Sequence, residues 1–198
     1  MAPRAERCGS RDGRFVNRKQ LAHVLRAAAT IASDGEILVL GSQSILGTAD
    51  APHLPEETTL SIEADLAFFN DLDEQKSDAV DGAIGEGSQF HAEYGYYAQG
   101  VSLETAVLPT GWRDRLIKFD REDAEPSAAS CLDPHDLVVA KLVANRDKDR
   151  DFSIALIRAD LIEVRTLLDR IELLEQPGAV KDRTRVVVEH CGGRAGHN

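Results

Sequence analysis

Glu36-Ile-Leu-Val-Leu-Gly-Ser-Gln-Ser44 and Ser61-Ile-Glu-Ala-Asp-Leu66 decide how this chain is read. The first is a short continuous apolar run, closed by Gly41-Ser42, and reads as a buried strand that turns into a helix-like segment at Gln43 to Gly47. In the second, strand alternation sends Glu63 and Asp65 to one face and Ile62, Ala64 and Leu66 to the other. A glycine and a hydroxyl at a strand-to-helix turn let backbone amides approach an anion closely. Two carboxylates on one strand face repel each other, an arrangement natural around a hard divalent cation. Each element also has an ordinary reading: a tight turn with a capping serine, and a strand with one solvated face.

Outward from this core, the spacing of Leu21, Val24, Leu25, Ala28 and Ile31 predicts a helix across Phe15 to Ile31, capped by Asn17. Thr59 to Phe69 reads as the second strand, Asp71 to Ile84 as a polar helix, and 85–94 as a loop. Gly95 to Leu108 promises one or two further strands, Arg115 to Asp120 another, and 121–130 a polar linker. From Asp133 the pattern turns helical. Asp133 caps, Pro134 takes the first helical position and Asp136 the third. One or two helices follow over Phe152 to Leu174, broken near Ala159-Asp160, and a short last one over Lys181 to His190. The fold expected is therefore α+β: a flexible basic N-terminus over 1–13, an α/β domain over 14–125 and a C-terminal helical region over 126–198.

Composition narrows the classes. The chain has 198 residues, 42% hydrophobic and 29% charged, with only 5% aromatic. That is a globular balance packed mainly by aliphatic side chains. No apolar run is long enough for a spanning helix, and the basic N-terminus lacks the apolar stretch of a secretory signal. The three cysteines, Cys8, Cys131 and Cys191, have no paired spacing. A cytoplasmic protein without a membrane partner is the expectation. The net charge of -11 is uneven: residues 34–104 hold fifteen acids and one base, whereas 1–33 hold seven bases and two acids. A middle segment this acidic repels phosphates unless bound metal or the flanking basic segments intervene.

A strand ending in Gly41-Ser42 followed by the acid-x-acid strand Glu63-Ala-Asp65 resembles the nucleotidyltransferase superfamily typified by DNA polymerase β. Two departures are plain: the spacing is longer than usual, and the first acid is Glu. A later stretch, Asp133-Pro-His-Asp-Leu-Val-Val-Ala-Lys-Leu-Val-Ala-Asn-Arg-Asp-Lys-Asp-Arg-Asp-Phe152, resembles the DLxxxKLxAxxxRxxKD segment of AbiEii-type nucleotidyltransferases through Asp136, Leu137, Lys141, Leu142, Ala144, Arg146, Lys148 and Asp149. These are bacterial proteins associated with toxin–antitoxin pairs, some of which modify tRNA 3′ ends.

The resemblance implies a polymerase-β-like core of a short mixed sheet with helices. It implies an NTP substrate held by Gly41, Ser42 and Arg146, and Mg²⁺ or Mn²⁺ held by Glu63 and Asp65 with a third carboxylate from a later strand, for which Glu104 is the candidate. Lys141 and Asp149 join Glu63 and Asp65 as the catalytic set. Lys141 is the clamp on the triphosphate, and Asp149 orients it or acts as a base. The acceptor implied is a tRNA 3′ end, with the protein as the toxin of a pair and a cognate antitoxin as partner. The alternatives are an antitoxin that modifies its partner toxin, a weakly active regulatory module on the same fold, and an α+β interaction module without a nucleotide site.

Overall fold

Asn17 opens the first helix, α1 (Arg18–Ala32), by accepting the Gln20 backbone N–H at 3.0 Å while the Gln20 side chain accepts the Asn17 N–H at 2.9 Å. This reciprocal cap satisfies two amides that the helix itself leaves without partners. The apolar face of α1 buries Leu21, Val24, Leu25 and Ala28. The computed structural model describes residues 16–49, 51–119 and 129–196. The expected basic N-terminal segment, Cys8 and most of the expected 121–130 linker lie outside them.

Five strands form one mixed sheet in the order β3-β2-β1-β5-β4. They are β1 (Ile37–Val39), β2 (Glu63–Phe68), β3 (Tyr97–Gly100), β4 (Ile117–Lys118) and β5 (Ser130–Cys131). β1 runs antiparallel to β2 and parallel to β5, and β2 runs parallel to β3. All three residues of β1 are buried, as a central strand covered on both faces requires. β5 comes from beyond residue 126 yet lies between β1 and β4, so the sheet takes a strand from the chain that leads into the helices.

The intervening helices are α2 (Gln75–Ile84) and α3 (Gln89–Tyr94). α2 packs on β3 and α1. α3 replaces the expected loop over 85–94. Ser88 starts it by accepting the His91 N–H at 3.1 Å, and Gly95 ends it at φ 75°, a left-handed conformation that glycine adopts without strain. The strands expected across 95–108 reduce to β3. It ends at Gly100, where a β-carbon would collide with the Ser77 carbonyl of α2.

Four helices follow: α4 (Pro134–Ala144), α5 (Asp147–Arg158), α6 (Val164–Glu172) and α7 (Gly178–Ala195). Asp133 caps α4 by accepting the His135 and Asp136 amides at 2.9 and 3.4 Å. α5 starts earlier than expected, inside the charged run 146–151, and breaks at Ala159-Asp160 as expected, with Asp160 at φ 53°. α7 runs well past the expected Lys181–His190 span. α4 is central, packing on α5, α6, α7 and the turn after β1. Its buried Asp136 is held by Arg115 Nε at 2.8 Å and Arg170 Nε at 3.1 Å. This aspartate, prominent in the sequence motif, thus ties α6 and the turn before β4 to α4. One buried apolar cluster runs from α1 through the sheet to α7. Among the described residues no helix is long and apolar enough to cross a membrane.

Candidate active site

The C-terminal end of β1 delivers Leu40-Gly41-Ser42 beside the middle of β2, with the Leu40 amide donating to the Asp65 carbonyl at 3.0 Å. Gly41 backs directly onto the Asp65 side chain. A β-carbon here would overlap Oδ2 and sit 2.6 Å from Cγ. Gly41 has extended backbone at φ -81°, so the position calls for a missing β-carbon and not for a left-handed turn. Apart from any approach of a phosphate to this turn, the aspartate of the next strand already fills the space a side chain would need. Ser42 then opens a 3-10 turn over Ser42–Gly47.

β2 alternates as expected. Ala64 and Leu66 are fully buried, and Glu63 and Asp65 emerge half-buried on the other face. Both carboxyls are pushed above their ordinary range. For Glu63 the causes are burial, then the charge of Asp65 and a hydrogen bond between the two side chains. For Asp65 burial leads, opposed by the positive charge of Lys141, the same hydrogen bond, and Lys148 and Arg146. The pair is therefore costly to keep charged without a cation.

The cations come from the helical half. Lys141 projects from the face of α4 that also buries Leu137, Val138 and Leu142, and its side chain is only 11% exposed. Its Nζ donates to Ser42 Oγ at 2.9 Å, lies 3.5 Å from Asp149 Oδ1, and sits 4.7 Å from the centre of the Phe152 ring. Burial lowers the Lys141 pKa, with Asp149 and Asp65 acting the other way. Asp149, fully buried in the first turn of α5, receives Arg146 Nε at 2.7 Å and the Arg146 backbone amide at 3.3 Å on one oxygen. Its other oxygen faces Lys141 and a second Arg146 nitrogen. With both oxygens engaged, Asp149 aims Lys141 and Arg146.

These groups line one cleft of about 680 Å³: Gly41, Ser42, Glu63, Asp65, Lys141, Arg146 and Asp149 are all in its wall. Glu104 is not. It is exposed in a 3-10 turn (Leu103–Thr105) beyond the end of β3, its amide bonded to Ser102 Oγ at 3.3 Å. The strand that was to carry it inward stops at Gly100. Further polar and aromatic wall residues include Glu57, Gln99, Lys148 and Phe152, none of which the sequence marked as a site residue. Gln99 stands opposite Asp65 in the β2–β3 register, and Tyr97 opposite Glu63. No local signal marks Gln99, because the pairing is set by a crossover. Lys148 had a signal, its place in the 133–152 motif, although its charge run also reads as a solvated face.

Among the described residues no group of three or more His, Cys, Asp and Glu side chains gathers into a metal-binding cluster. Of the carboxylates in the cleft wall, Asp149 is engaged by Lys141 and Arg146, and Glu63 and Asp65 stand side by side on β2. One or two carboxylates completed by substrate phosphates is the ligand set Mg²⁺ characteristically takes, and this pair supplies such a set on one strand face. The residues fit the metal that the resemblance implies.

No curated protein and no solved structure matches the chain. The sequence model of a family described as a nucleotidyltransferase of unknown function (DUF6036) matches residues 19–183, and the chain belongs to that family.

Proposed function

We propose that the cleft transfers a nucleoside monophosphate from an NTP to a macromolecular hydroxyl, on a polymerase-β-type core. One observation carries the reading: the Glu63–Asp65 pair and the Ser42–Lys141 hydrogen bond, from opposite halves of the chain, share one cleft wall. The acceptor hydroxyl gives up its proton to solvent as its oxygen bonds to the α-phosphorus, the bond to the β-phosphate oxygen breaks, and pyrophosphate leaves. The Gly41-Ser42 amides and the Ser42 hydroxyl bind the β- and γ-phosphates. Lys141 meets the charge growing on the leaving pyrophosphate, preorganised by Asp149 so that little reorganisation accompanies the step. Arg146 and Lys148 bring further positive charge to the same wall. Glu63 and Asp65 would hold a divalent cation, Mg²⁺ or Mn²⁺, which supplies charge neutralisation on the triphosphate and a lowered pKa at the attacking hydroxyl.

The acceptor favoured by the 133–152 resemblance is a tRNA 3′ end, with the protein acting as the toxin of a toxin–antitoxin pair. The test uses NTPs labelled at either the α- or the γ-phosphate, incubated with a bacterial lysate and Mg²⁺. Transfer of α-label without γ-label to a macromolecule supports the reading. Transfer of γ-label, or of neither, overturns it.

A further inference from the structure

We infer that Tyr97 is the positioning residue of Glu63, holding that carboxylate in the cleft through its phenol; this rests on the reading of Glu63 and Asp65 as the metal-binding pair. In the parallel β2–β3 ladder Glu63 stands directly across from Tyr97, and residues paired in this way project to the same face. The Tyr97 phenol thus comes alongside the Glu63 carboxylate, placed to donate to it. The ring is itself fixed. It packs on His91 with ring centres 4.7 Å apart, and His91 Nδ1 accepts the Gly87 amide at 3.1 Å. A chain of contacts thus runs from the turn before α3 through His91 and Tyr97 to Glu63. Tyr97 itself lies outside the cleft wall.

This arrangement accounts for the glutamate at 63. A free glutamate has one more rotatable bond than an aspartate, and ordering it costs entropy. Next to Asp65 it is also driven away by like charge. A half-buried donor on the neighbouring strand offsets both, and an aspartate, one methylene shorter, would draw back from it. Outer partners of this kind raise metal affinity by orienting the ligand they touch.

The test is Mn²⁺ binding to the full chain, measured by titration calorimetry, independent of turnover. Y97F is expected to weaken Mn²⁺ binding about tenfold, the usual effect of losing a ligand's outer partner. Y94F, which removes a hydroxyl from an exposed ring of α3, should bind like wild type. E63D should weaken binding strongly in the wild-type background and much less in Y97F, because the contact it breaks is already gone. Should Y97F fold poorly by circular dichroism, Y97H, which retains a ring donor, carries the same comparison and is expected to bind between wild type and E63D. Wild-type affinity in Y97F, or strictly additive effects of E63D and Y97F, overturns the role of Tyr97 while D65N still loses binding. Undiminished binding in D65N removes the metal-pair reading itself, and the role of Tyr97 with it.

Discussion

Lys141 Nζ lies 2.9 Å from Ser42 Oγ, joining α4 to the turn after β1 across 99 positions of sequence. The bond places the ammonium at the same turn whose glycine is backed by Asp65. An 11%-exposed lysine is expensive to bury, and the cost is offset by Asp149 behind it and Asp65 in front.

Replacing this lysine separates an active-site role from a packing role. K141A should fold and lower transfer by about two to three orders of magnitude, the range for losing one preorganised donor. K141R should restore little, since a planar guanidinium does not replace a compact ammonium in a tight site. Because burial lowers the Lys141 pKa from 10.5, the active ammonium is lost as pH rises through that lowered value. The alkaline limb of kcat/KM, which reports the free enzyme, should therefore begin below the ordinary lysine range in wild type and be absent from the residual activity of K141R.

The carboxylate pair makes a stability prediction with a definite sign. Asp65 has a folded-state pKa above its ordinary 3.8, so the native state holds its proton more tightly than the unfolded chain. The associated stability is present below pH 3.8 and is lost as pH rises through the folded value. Without metal, D65N should be more stable than wild type at pH 7 by on the order of 1 kcal/mol, roughly 2–4 °C in Tm. The difference should shrink as pH falls toward 4. Mn²⁺ should raise the Tm of wild type and leave that of D65N unchanged; thermal scans with and without metal check both.

Gly41 is constrained by Asp65, and a mutant cycle exposes it. G41A forces the aspartate aside and should destabilise the protein by about 2 kcal/mol, the scale of overpacking a well-filled site. In a D65A background the overlapping oxygen and Cγ are gone, and the same change should cost much less. Equal costs in urea denaturation of the four proteins would contradict the direct packing of Gly41 on Asp65.

Asp136 is fully buried between two arginines and lies outside the cleft wall. D136A leaves both guanidiniums without their carboxylate and should lower stability by roughly 3 kcal/mol. At a temperature where the variant remains folded, KM for NTP should stay near wild type. A selective loss of NTP affinity at full stability would assign Asp136 to the site.

These behaviours were partly legible in the sequence. The capped starts of α1 and α4, strand β1 and the alternation of β2 are local patterns, and local patterns survive folding. Gly41, Ser42, Glu63 and Asp65, singled out from two strand patterns, and Lys141, Arg146 and Asp149, singled out through the resemblance of 133–152, all meet in one cleft wall. What escaped was non-local. β5 has two residues and becomes a strand only by pairing with β1 and β4, so its segment reads as the end of a linker. α3, six residues long with none buried, has no apolar stripe to announce it. Glu104 was chosen for a β-prone neighbourhood, but packing against α2 ends the strand four residues earlier. Gln99 and Tyr97 gained their places from the β2–β3 register, which no short stretch of sequence contains.

The most direct measurement is transfer of α-labelled NTP onto a total tRNA pool by wild type, D65N and K141A, with Mg²⁺ present. Wild type should give labelled tRNA 3′ ends, and both variants should lose at least two orders of magnitude despite native melting behaviour. Label transferred equally by D65N and wild type would contradict the assignment of this cleft as the transferase site.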